Sequence, residues 1–323
     1  MIGRRAVLAA GAFAVVPMLG IKSWAAEFET LRSIRQEIAN QPKIMLAEAG
    51  ATIAVAFATG SQGVDRDGVL NWIRRSARAA SVYFGRFPVK HVDMLIVGEP
   101  GGRVGHATTW GYGGSTIRVH VGVDARTPAF LRDWVMVHEM THLALPTLPD
   151  EQSWALEGNA TYVEPIARVQ SGDLRAETIW RDMWLGMPNG LPQAGDEGLD
   201  RTHSWGRTYW GGALFYLMAD IDIRRRTANR RGLQHALRAI NRASGGNSAE
   251  WPMEQLIATG DKAAGVDALA KLYDSWSNAA VSVDIDGLFA QLGVRKQGDA
   301  ISFDEGAPLA ATRRAITTAL AAS

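Results

Sequence analysis

Hydrophobic positions in the first half of the chain repeat with two different periods. Apolar residues recur every three or four positions over residues 28–38 and 70–84, which is the spacing of helices that bury one face. Short apolar runs over residues 53–58 and 94–97 are typical of buried strands. Residues 116–121 alternate between apolar and polar side chains, which predicts a strand with one exposed face. This mixture predicts an α/β region in which helices pack on a sheet.

From residue 127 onward the pattern is mostly helical. One continuous, deeply buried helix is predicted over residues 127–145, with Thr127 as its N-cap, Pro128 as its first residue and Pro146 at its end. A loop rich in glycine and proline follows later, over residues 186–203. Loops of that length are uncommon without a function, so we expect this one to line a cleft.

These patterns divide the chain into an N-terminal signal, an α/β lobe and a helical lobe. The signal covers residues 1–26, and the α/β lobe covers residues 27–146 and ends in the predicted helix. The helical lobe covers residues 147–323 and is expected to close with a strand over residues 298–303 and a helix over residues 308–320. The predicted fold class is therefore α+β.

The N-terminal segment has the composition of a secretory signal. Arg4 and Arg5 precede an uncharged run over residues 6–21, and small residues follow where cleavage is expected. The run is shorter than the roughly 20 residues of a transmembrane helix, and the paired arginines suggest the twin-arginine route. We expect a periplasmic or secreted protein, and a retained N-terminal anchor is the alternative.

Composition excludes several classes of function. Loss of Arg4, Arg5 and Lys22 with the signal takes the formal net charge from +1 to −2, so the mature protein has no charge bias toward nucleic acid or anionic membranes. The chain contains no cysteine, which rules out disulfides, thiolate catalysis and a cysteine-type zinc site.

The chemistry is concentrated in the sequence His-Glu-Met-Thr-His over residues 138–142. On a helix, His138 and His142 lie one turn apart on one face, so both imidazoles can bind one metal ion. Glu139 lies beside them, where a carboxylate can take a proton from an attacking water. Two buried core histidines with satisfied hydrogen bonds are the alternative interpretation.

Two carboxylates downstream are candidates to complete this site. Fourteen residues separate His142 from Glu157, which is enough for a loop and the start of a second helix that faces the first. Glu157 is the candidate third ligand, although a carboxylate near a helix start is also favoured by the helix dipole. Glu164 lies two turns further on the same face, where we expect it to orient a histidine or tune the charge of the site.

A glycine-rich segment lies between the predicted strands and is a candidate for substrate binding. It runs from Gly101 through Gly113 and Gly114 to Ser115 and Thr116. We expect this segment, together with residues 116–120, to form a sheet edge that binds a peptide by strand addition. The alternative is a flexible hairpin with no role.

Two histidines in the same region, His106 and His120, are interpreted as ordinary surface or loop histidines. They lack the helical spacing that brings His138 and His142 together. We therefore leave them out of the predicted metal site.

Motifs beyond the two histidines resemble those of the gluzincin zinc metallopeptidases. Trp154, Glu157 and Gly158 stand in the spacing Trp-x-x-Glu-Gly, and Tyr209 opens a helix with a Tyr-x-Gly-Gly start that resembles the glycyl aminopeptidase family. That family usually has lysine where this chain has Gly211, and the Gly-x-Met-Glu-Asn exopeptidase motif of the aminopeptidase N family is absent from the sequence. The resemblance covers residues 129–245.

The resemblance implies a thermolysin-like zincin core that binds one zinc ion per chain through His138, His142 and Glu157. It also implies a peptidase in which Glu139 is the general base and Tyr209 stabilises the transition state, with a peptide or protein as the partner. His203 flanks the same helix entry as Tyr209 and competes with it for that role. The alternative functions are a zinc hydrolase of a non-peptide amide and a catalytically silent zinc-containing binding module.

Overall fold

The protein is described here by a computed structural model that covers residues 30–298 and 300–320, so the predicted signal lies outside the described residues. Its N-terminal part contains a five-stranded sheet. The strands, in chain order, are β1 (Lys43–Glu48), β2 (Ala51–Phe57), β3 (His91–Glu99), β4 (Val104–Trp110) and β5 (Thr116–Gly122). Their spatial order is β1-β2-β3-β5-β4, with β2, β3 and β5 parallel and the two outer strands antiparallel to their neighbours.

Helices pack on both faces of this sheet; the periodicity predicted the two helices but not their placement on opposite faces. Helix α1 (Leu31–Asn40) buries Ile34 and Ile38 against one face. Helix α2 (Arg66–Phe84) packs on the other face, begins where the Asp65 side chain accepts the Gly68 N–H at 3.0 Å, and ends at Gly85 in the left-handed region.

The predicted helix over residues 127–145 is in fact two helices. Helix α3 (Thr127–Arg132) ends at Asp133, whose backbone is extended, and helix α4 (Val135–His142) starts after it. Asp133 helps the second helix to begin, because its side chain accepts the Met136 N–H at 3.1 Å. The N-cap of α3 is Arg126, which makes no side-chain capping bond, so the predicted capping role of Thr127 is wrong.

The prediction of deep burial for this segment is wrong at two positions. Phe130 and Val137 are buried, but Leu131 and Trp134 are about half exposed, at 53% and 52%. Because the chain breaks at Asp133, the stripe that a continuous helix would bury is interrupted. Both exposed side chains lie next to the metal-site helix.

The alternating strand over residues 116–121 is also different from its prediction. All seven residues of β5 are buried. One face belongs to the core under α2, and on the other face Arg118 lies over Trp110 and His120 stacks on His106, both of β4. Arg118 and His120, which the pattern placed on an exposed face, are inside the protein. Since β5 lies between β3 and β4, the exposed edge on this side of the sheet is β4 instead.

The remainder of the chain is helical except for a small two-stranded sheet. The elements are α5 (Ser153–Gln170), α6 (Ala176–Gly186), a π-helix (Gly206–Gly211), α7 (Gly212–Arg226), α8 (Leu233–Ser244), α9 (Met253–Ala264), α10 (Ala268–Trp276), α11 (Ile285–Gln291), β6 (Val294–Gln297), β7 (Ala300–Phe303) and α12 (Ala310–Thr317). The predicted α+β class is confirmed. In the described part of the chain, no helix has the length and apolar character needed to cross a bilayer.

Helices α2 and α4 connect the two parts of the protein. Side chains of both helices belong to the core under the sheet and also to the larger core of the helical part. The first two metal-site histidines therefore lie on an element that is packed from both sides. Such a position holds side chains rigidly, which suits a site with fixed ligand distances.

Candidate metal centre

Helices α4 and α5 bring the three predicted ligands together. The Nε2 atoms of His138 and His142 lie 3.3 and 3.4 Å from Oε2 of Glu157. Donors about 2.0–2.1 Å from a tetrahedral zinc ion are about 3.3–3.4 Å apart, so these separations fit zinc. Within the described residues, these three side chains form the group of histidines and carboxylates whose ligand atoms lie close enough together to hold one metal ion.

The surroundings shift the pKa values of His138 and Glu157 toward their ligand forms, and that of His142 in the opposite direction. Burial, the largest effect, lowers the pKa of His138 and so favours the neutral imidazole that binds metal. Burial alone would raise the pKa of Glu157, but hydrogen bonds and charge from the two histidines lower it overall. His142 is also desolvated, yet Glu157 raises its pKa overall through a hydrogen bond and charge.

Glu139 is buried beside the triad and is held by the edge strand. The Thr109 hydroxyl donates a hydrogen bond to Oε2 of Glu139 at 2.7 Å and also lies 3.1 Å from the Glu139 carbonyl oxygen. Only 7% of Glu139 is exposed. The sequence did not single out Thr109, because its contact depends on how β4 lies over α4. Thr109 is thus a positioning residue for the candidate base.

Tyr209 reaches the same site from the helical part. Its ring stacks on His138 at a centroid distance of 6.3 Å and on Trp205 at 6.2 Å. Burial, followed by the charge of Glu157 and a hydrogen bond to it, raises the pKa of Tyr209 to about 12. The phenol therefore stays neutral and able to donate throughout the ordinary pH range.

Glycines set the distance between Tyr209 and Glu157. A Cβ at Gly158 would lie 2.3 Å from the backbone of Gly212, and a Cβ at Gly212 would lie 2.4 Å from the Trp154 carbonyl oxygen. Helices α5 and α7 therefore cross in backbone contact, one residue after Glu157 and three after Tyr209. Gly211 is also closely surrounded, because its Cβ would lie 3.2 Å from atoms of Gly190, Leu199 and Arg207, so a side chain there would require these neighbours to shift.

His203 and the long loop are not part of the metal-site cavity. His203 is exposed and does not line the cavity, whereas Tyr209 does. The predicted loop over residues 186–203 does not line it either, contrary to our expectation. The loop instead supports the π-helix: Asp196 pairs with Arg207 at 2.7 Å inside the protein, and Arg207 also donates to the Gly190 carbonyl at 2.5 Å.

Glu164 is placed near the site, but its hydrogen bond goes elsewhere than predicted. Its carboxylate accepts from Arg168 at 2.8 Å, and burial raises its pKa to about 7 despite this partner. The described bond is to a guanidinium and not to a histidine, so the predicted orienting contact is not observed. Glu164 lines a cavity on the far side of His138.

The predicted substrate-binding residues Gly113, Gly114, Ser115 and Thr116 line a different cavity. That cavity has a volume of about 600 Å³ and basic lining residues that include Arg35. Arg35 donates to the Gly114 carbonyl at 2.9 Å, which ties the turn to α1. The strand segment beside the metal site is instead residues 107–109 and Gly111, which lie on and just after β4.

Two cavities meet at the metal site. The first has a volume of about 350 Å³ and contains the triad, Glu139 and the β4 segment. The second has a volume of about 790 Å³, is mostly apolar and extends between α3, α5 and α6. His138 and Tyr209 line both cavities, so a molecule bound at the metal site has access to each.

The fold and the site together define the class of structure. A mixed sheet leads into a helix with two histidines one turn apart, and a glutamate on the next helix completes the candidate ligand set, within the predicted α+β arrangement.

Comparisons with known proteins agree with that class. No protein-family model and no curated protein match the sequence. Among solved structures, the chain is similar to an aminopeptidase N family protein from Idiomarina loihiensis, with 13% identity and a TM-score of 0.57 over 80% of this chain and 50% of the other. It also matches an M1 zinc metallopeptidase from Deinococcus radiodurans, with 16% identity and a TM-score of 0.47 over 76% of this chain and 53% of the other.

The chain spans about half the length of both structures. At this identity, the likeness to the first structure establishes a shared fold. The name of the Idiomarina loihiensis structure refers to the aminopeptidase N family and not to the glycyl aminopeptidase family that the motif around Tyr209 resembles.

Proposed function

We propose that the protein is a zinc-dependent peptidase that hydrolyses peptide bonds with a glutamate general base. The observation that carries this proposal is the joint placement of the triad and of Glu139, which Thr109 holds from the edge strand. Zinc bound by the triad supplies a Lewis acid that polarises the substrate carbonyl and acidifies the attacking water.

The chain's own residues divide the remaining work. Glu139 accepts the proton of the attacking water and returns it to the leaving amine. Tyr209 donates a hydrogen bond to the oxyanion that develops on the carbonyl oxygen, and such a donor is typically worth about 100- to 1000-fold in rate. Both roles need short, fixed distances, and both side chains line the metal-site cavity.

The exposed edge strand β4 is the proposed binding site for the substrate backbone. Its outer N–H and C=O groups face away from β5, and its residues 107–109 line the metal-site cavity. An extended peptide that pairs with β4 would pass along the triad. The sequence pattern assigned this role to the glycine-rich segment from Gly101 together with residues 116–120, and β4 lies within the first of these two stretches.

The proposal is tested by cleavage of a mixed peptide library, with Glu139→Gln as the matched variant. Glutamine is nearly isosteric and is not a ligand, so the variant should keep zinc and fold while turnover falls by several orders of magnitude. Near-normal hydrolysis by Glu139→Gln would contradict the mechanism. A zinc-loaded wild type that cleaves no peptide would contradict the assignment as a peptidase and leave the alternatives of a non-peptide substrate or a silent module.

A further inference from the structure

We propose that the apolar cavity beside the metal site, which we call the aromatic pocket, binds a large apolar or aromatic side chain of the substrate residue next to the cleaved bond. The aromatic pocket is lined by Leu131, Trp134, Ile179, Met183, Trp205 and Trp210. This inference rests on the proposed peptidase function and adds a substrate class to it.

The position of the aromatic pocket is the first argument. The metal ligand His138 and the candidate oxyanion donor Tyr209 form part of its wall and also part of the metal-site cavity. A group bound between them is therefore adjacent to the reacting carbonyl. A side chain one residue from the cleaved bond is the part of a peptide that has this reach.

The exposure of its lining is the second argument. Six large hydrophobic side chains are strongly exposed in the described residues, and three of them line this pocket: Leu131 at 53%, Trp134 at 52% and Trp205 at 64%. Exposed apolar side chains that cluster around one concave surface mark a binding site. The metal-site cavity, whose lining is mostly polar, contains no such cluster of exposed apolar side chains.

The ring geometry is the third argument. Trp134 meets the His138 ring edge-on at a centroid distance of 5.3 Å, and Trp205 stacks on Tyr209 at 6.2 Å. The two tryptophans thus extend the aromatic surface outward from the two site residues. A further aromatic ring bound there would find edge and face partners within ordinary ring-pair distances.

Charges on the wall select against a positively charged occupant. Glu164 pairs with Arg168 at 2.8 Å, and Arg181 pairs with Asp182 at 2.9 Å. Both acidic groups of the wall are therefore already paired and Arg132 adds a further positive charge, so a cationic substrate side chain would lose water without gaining a free partner. A small side chain would leave most of a cavity of about 790 Å³ unfilled.

The test uses peptides that differ only at the residues on either side of the cleaved bond, with phenylalanine, leucine, alanine or lysine in turn. At one of the two positions, we expect kcat/KM to be about 10- to 100-fold higher for phenylalanine than for alanine, since each buried methylene contributes about a factor of four. Lysine should be poorer than alanine there, because the acidic groups of the wall are already paired.

Leu131→Ala is the informative variant because Leu131 lines the aromatic pocket but is not in the metal site. It should lower the phenylalanine-to-alanine ratio by about 3- to 10-fold, mainly through KM for the phenylalanine peptide, and leave zinc content unchanged. Leu185→Ala is the matched control, because Leu185 is similarly exposed, at 59%, and lies outside this pocket. The control should leave the ratio unchanged.

The outcomes separate this inference from the proposed function. Peptide cleavage with no preference for phenylalanine at either position, or a preference that Leu131→Ala leaves intact, overturns the aromatic pocket and leaves the peptidase assignment standing. If the wild type cleaves none of the peptides, calorimetric titration of the zinc-loaded protein with the phenylalanine and alanine peptides replaces turnover. Tighter binding of the phenylalanine peptide that is lost in Leu131→Ala then supports the pocket, and equal binding overturns it.

Discussion

Glu139 and Glu157 are within electrostatic reach of the same two histidines but have different neighbours. Oε2 of Glu157 faces both imidazole Nε2 atoms, whereas the Glu139 carboxylate is bound by the Thr109 hydroxyl. A carboxylate that points at the two nitrogens can share their metal ion. One that is held to the side stays free to exchange a proton. The two glutamates should therefore respond differently to substitution.

The first prediction concerns the ligands. We expect one tightly bound zinc ion per chain in the wild type and loss of zinc in His138→Ala, His142→Ala and Glu157→Ala, because each substitution removes one of three ligands. Elemental analysis of purified variants measures this directly. Glu139→Gln is the matched control and should retain zinc. Full zinc in Glu157→Ala would remove Glu157 from the ligand set.

The second prediction concerns the oxyanion donor. Tyr209→Phe should lower kcat and kcat/KM together, by about 100- to 1000-fold, because the hydrogen bond is made only in the transition state. His203→Ala should have a mild effect, since His203 is exposed and lies away from the metal-site cavity. Steady-state kinetics with zinc-loaded protein make the comparison.

The pH profile gives an independent check on Tyr209. Its pKa is raised to about 12, so loss of its proton should cause no decline in activity below about pH 10. A histidine donor would act best when protonated and would lose activity above a pKa near 6.5. Tyr209→Phe kinetics within twofold of the wild type, with zinc retained, would show that another group is the donor.

At the scale of elements, the contact between α5 and α7 decides where Tyr209 lies relative to Glu157. Gly158 and Gly212 let the two backbones touch, and the π-helix before Gly212 is supported by the buried ion pair of Asp196 and Arg207. A π-helix is rare and is frequently found at functional sites. The crossing thus connects a local sequence feature to the geometry of the site.

The third prediction tests this crossing. Gly158→Ala should destabilise the protein by about 1–3 kcal/mol and lower kcat, because the added methyl would overlap the Gly212 backbone and move Tyr209 away from Glu157. Urea denaturation and kinetics measure the two effects. Gly102→Ala is the control, since its Cβ would have only ordinary contacts at 3.7 Å or more. An active, fully stable Gly158→Ala protein would contradict the proposed role of the crossing.

At the scale of the whole molecule, the metal site lies where the α/β part meets the helical part. Helix α4 belongs to the first, α5 and Tyr209 to the second, and both cavities open at this junction. Active sites between two packed units are common because each unit supplies one wall. The site is therefore complete only when both parts are folded and packed.

The last prediction concerns the cellular localisation of the protein. The composition of residues 1–26 leads us to propose export, with this segment removed. Mass spectrometry of native protein from the periplasm or the medium should show a mass that begins near residue 27. Arg4→Lys with Arg5→Lys should block transport if the twin-arginine route is used. An intact N-terminus on membrane-associated protein would favour the retained anchor.

Local spacing along the sequence was enough to predict the side chains of the candidate metal site. His138, Glu139 and His142 are near one another on any helix because residues four apart share a face, and this holds whatever the rest of the chain does. Glu157 followed from the length of the connection and from its motif. Helices α1 and α2 and strands β2 and β3 followed from hydrophobic periods, which are also local properties.

Only the tertiary structure shows that β5 is not part of the edge, that Thr109 holds Glu139, and that Tyr209 rather than His203 reaches the site. Periodicity predicted a half-exposed strand over residues 116–121. The alternation of apolar and polar residues did not predict that the polar face is covered as well. The short strands β1 and β6 were not predicted, since few of their residues are buried. Thr109 contacts Glu139, and His203 lies outside the metal-site cavity, because segments far apart in the chain pack against each other in this way. Such contacts depend on sheet order and helix crossings, which local spacing does not encode.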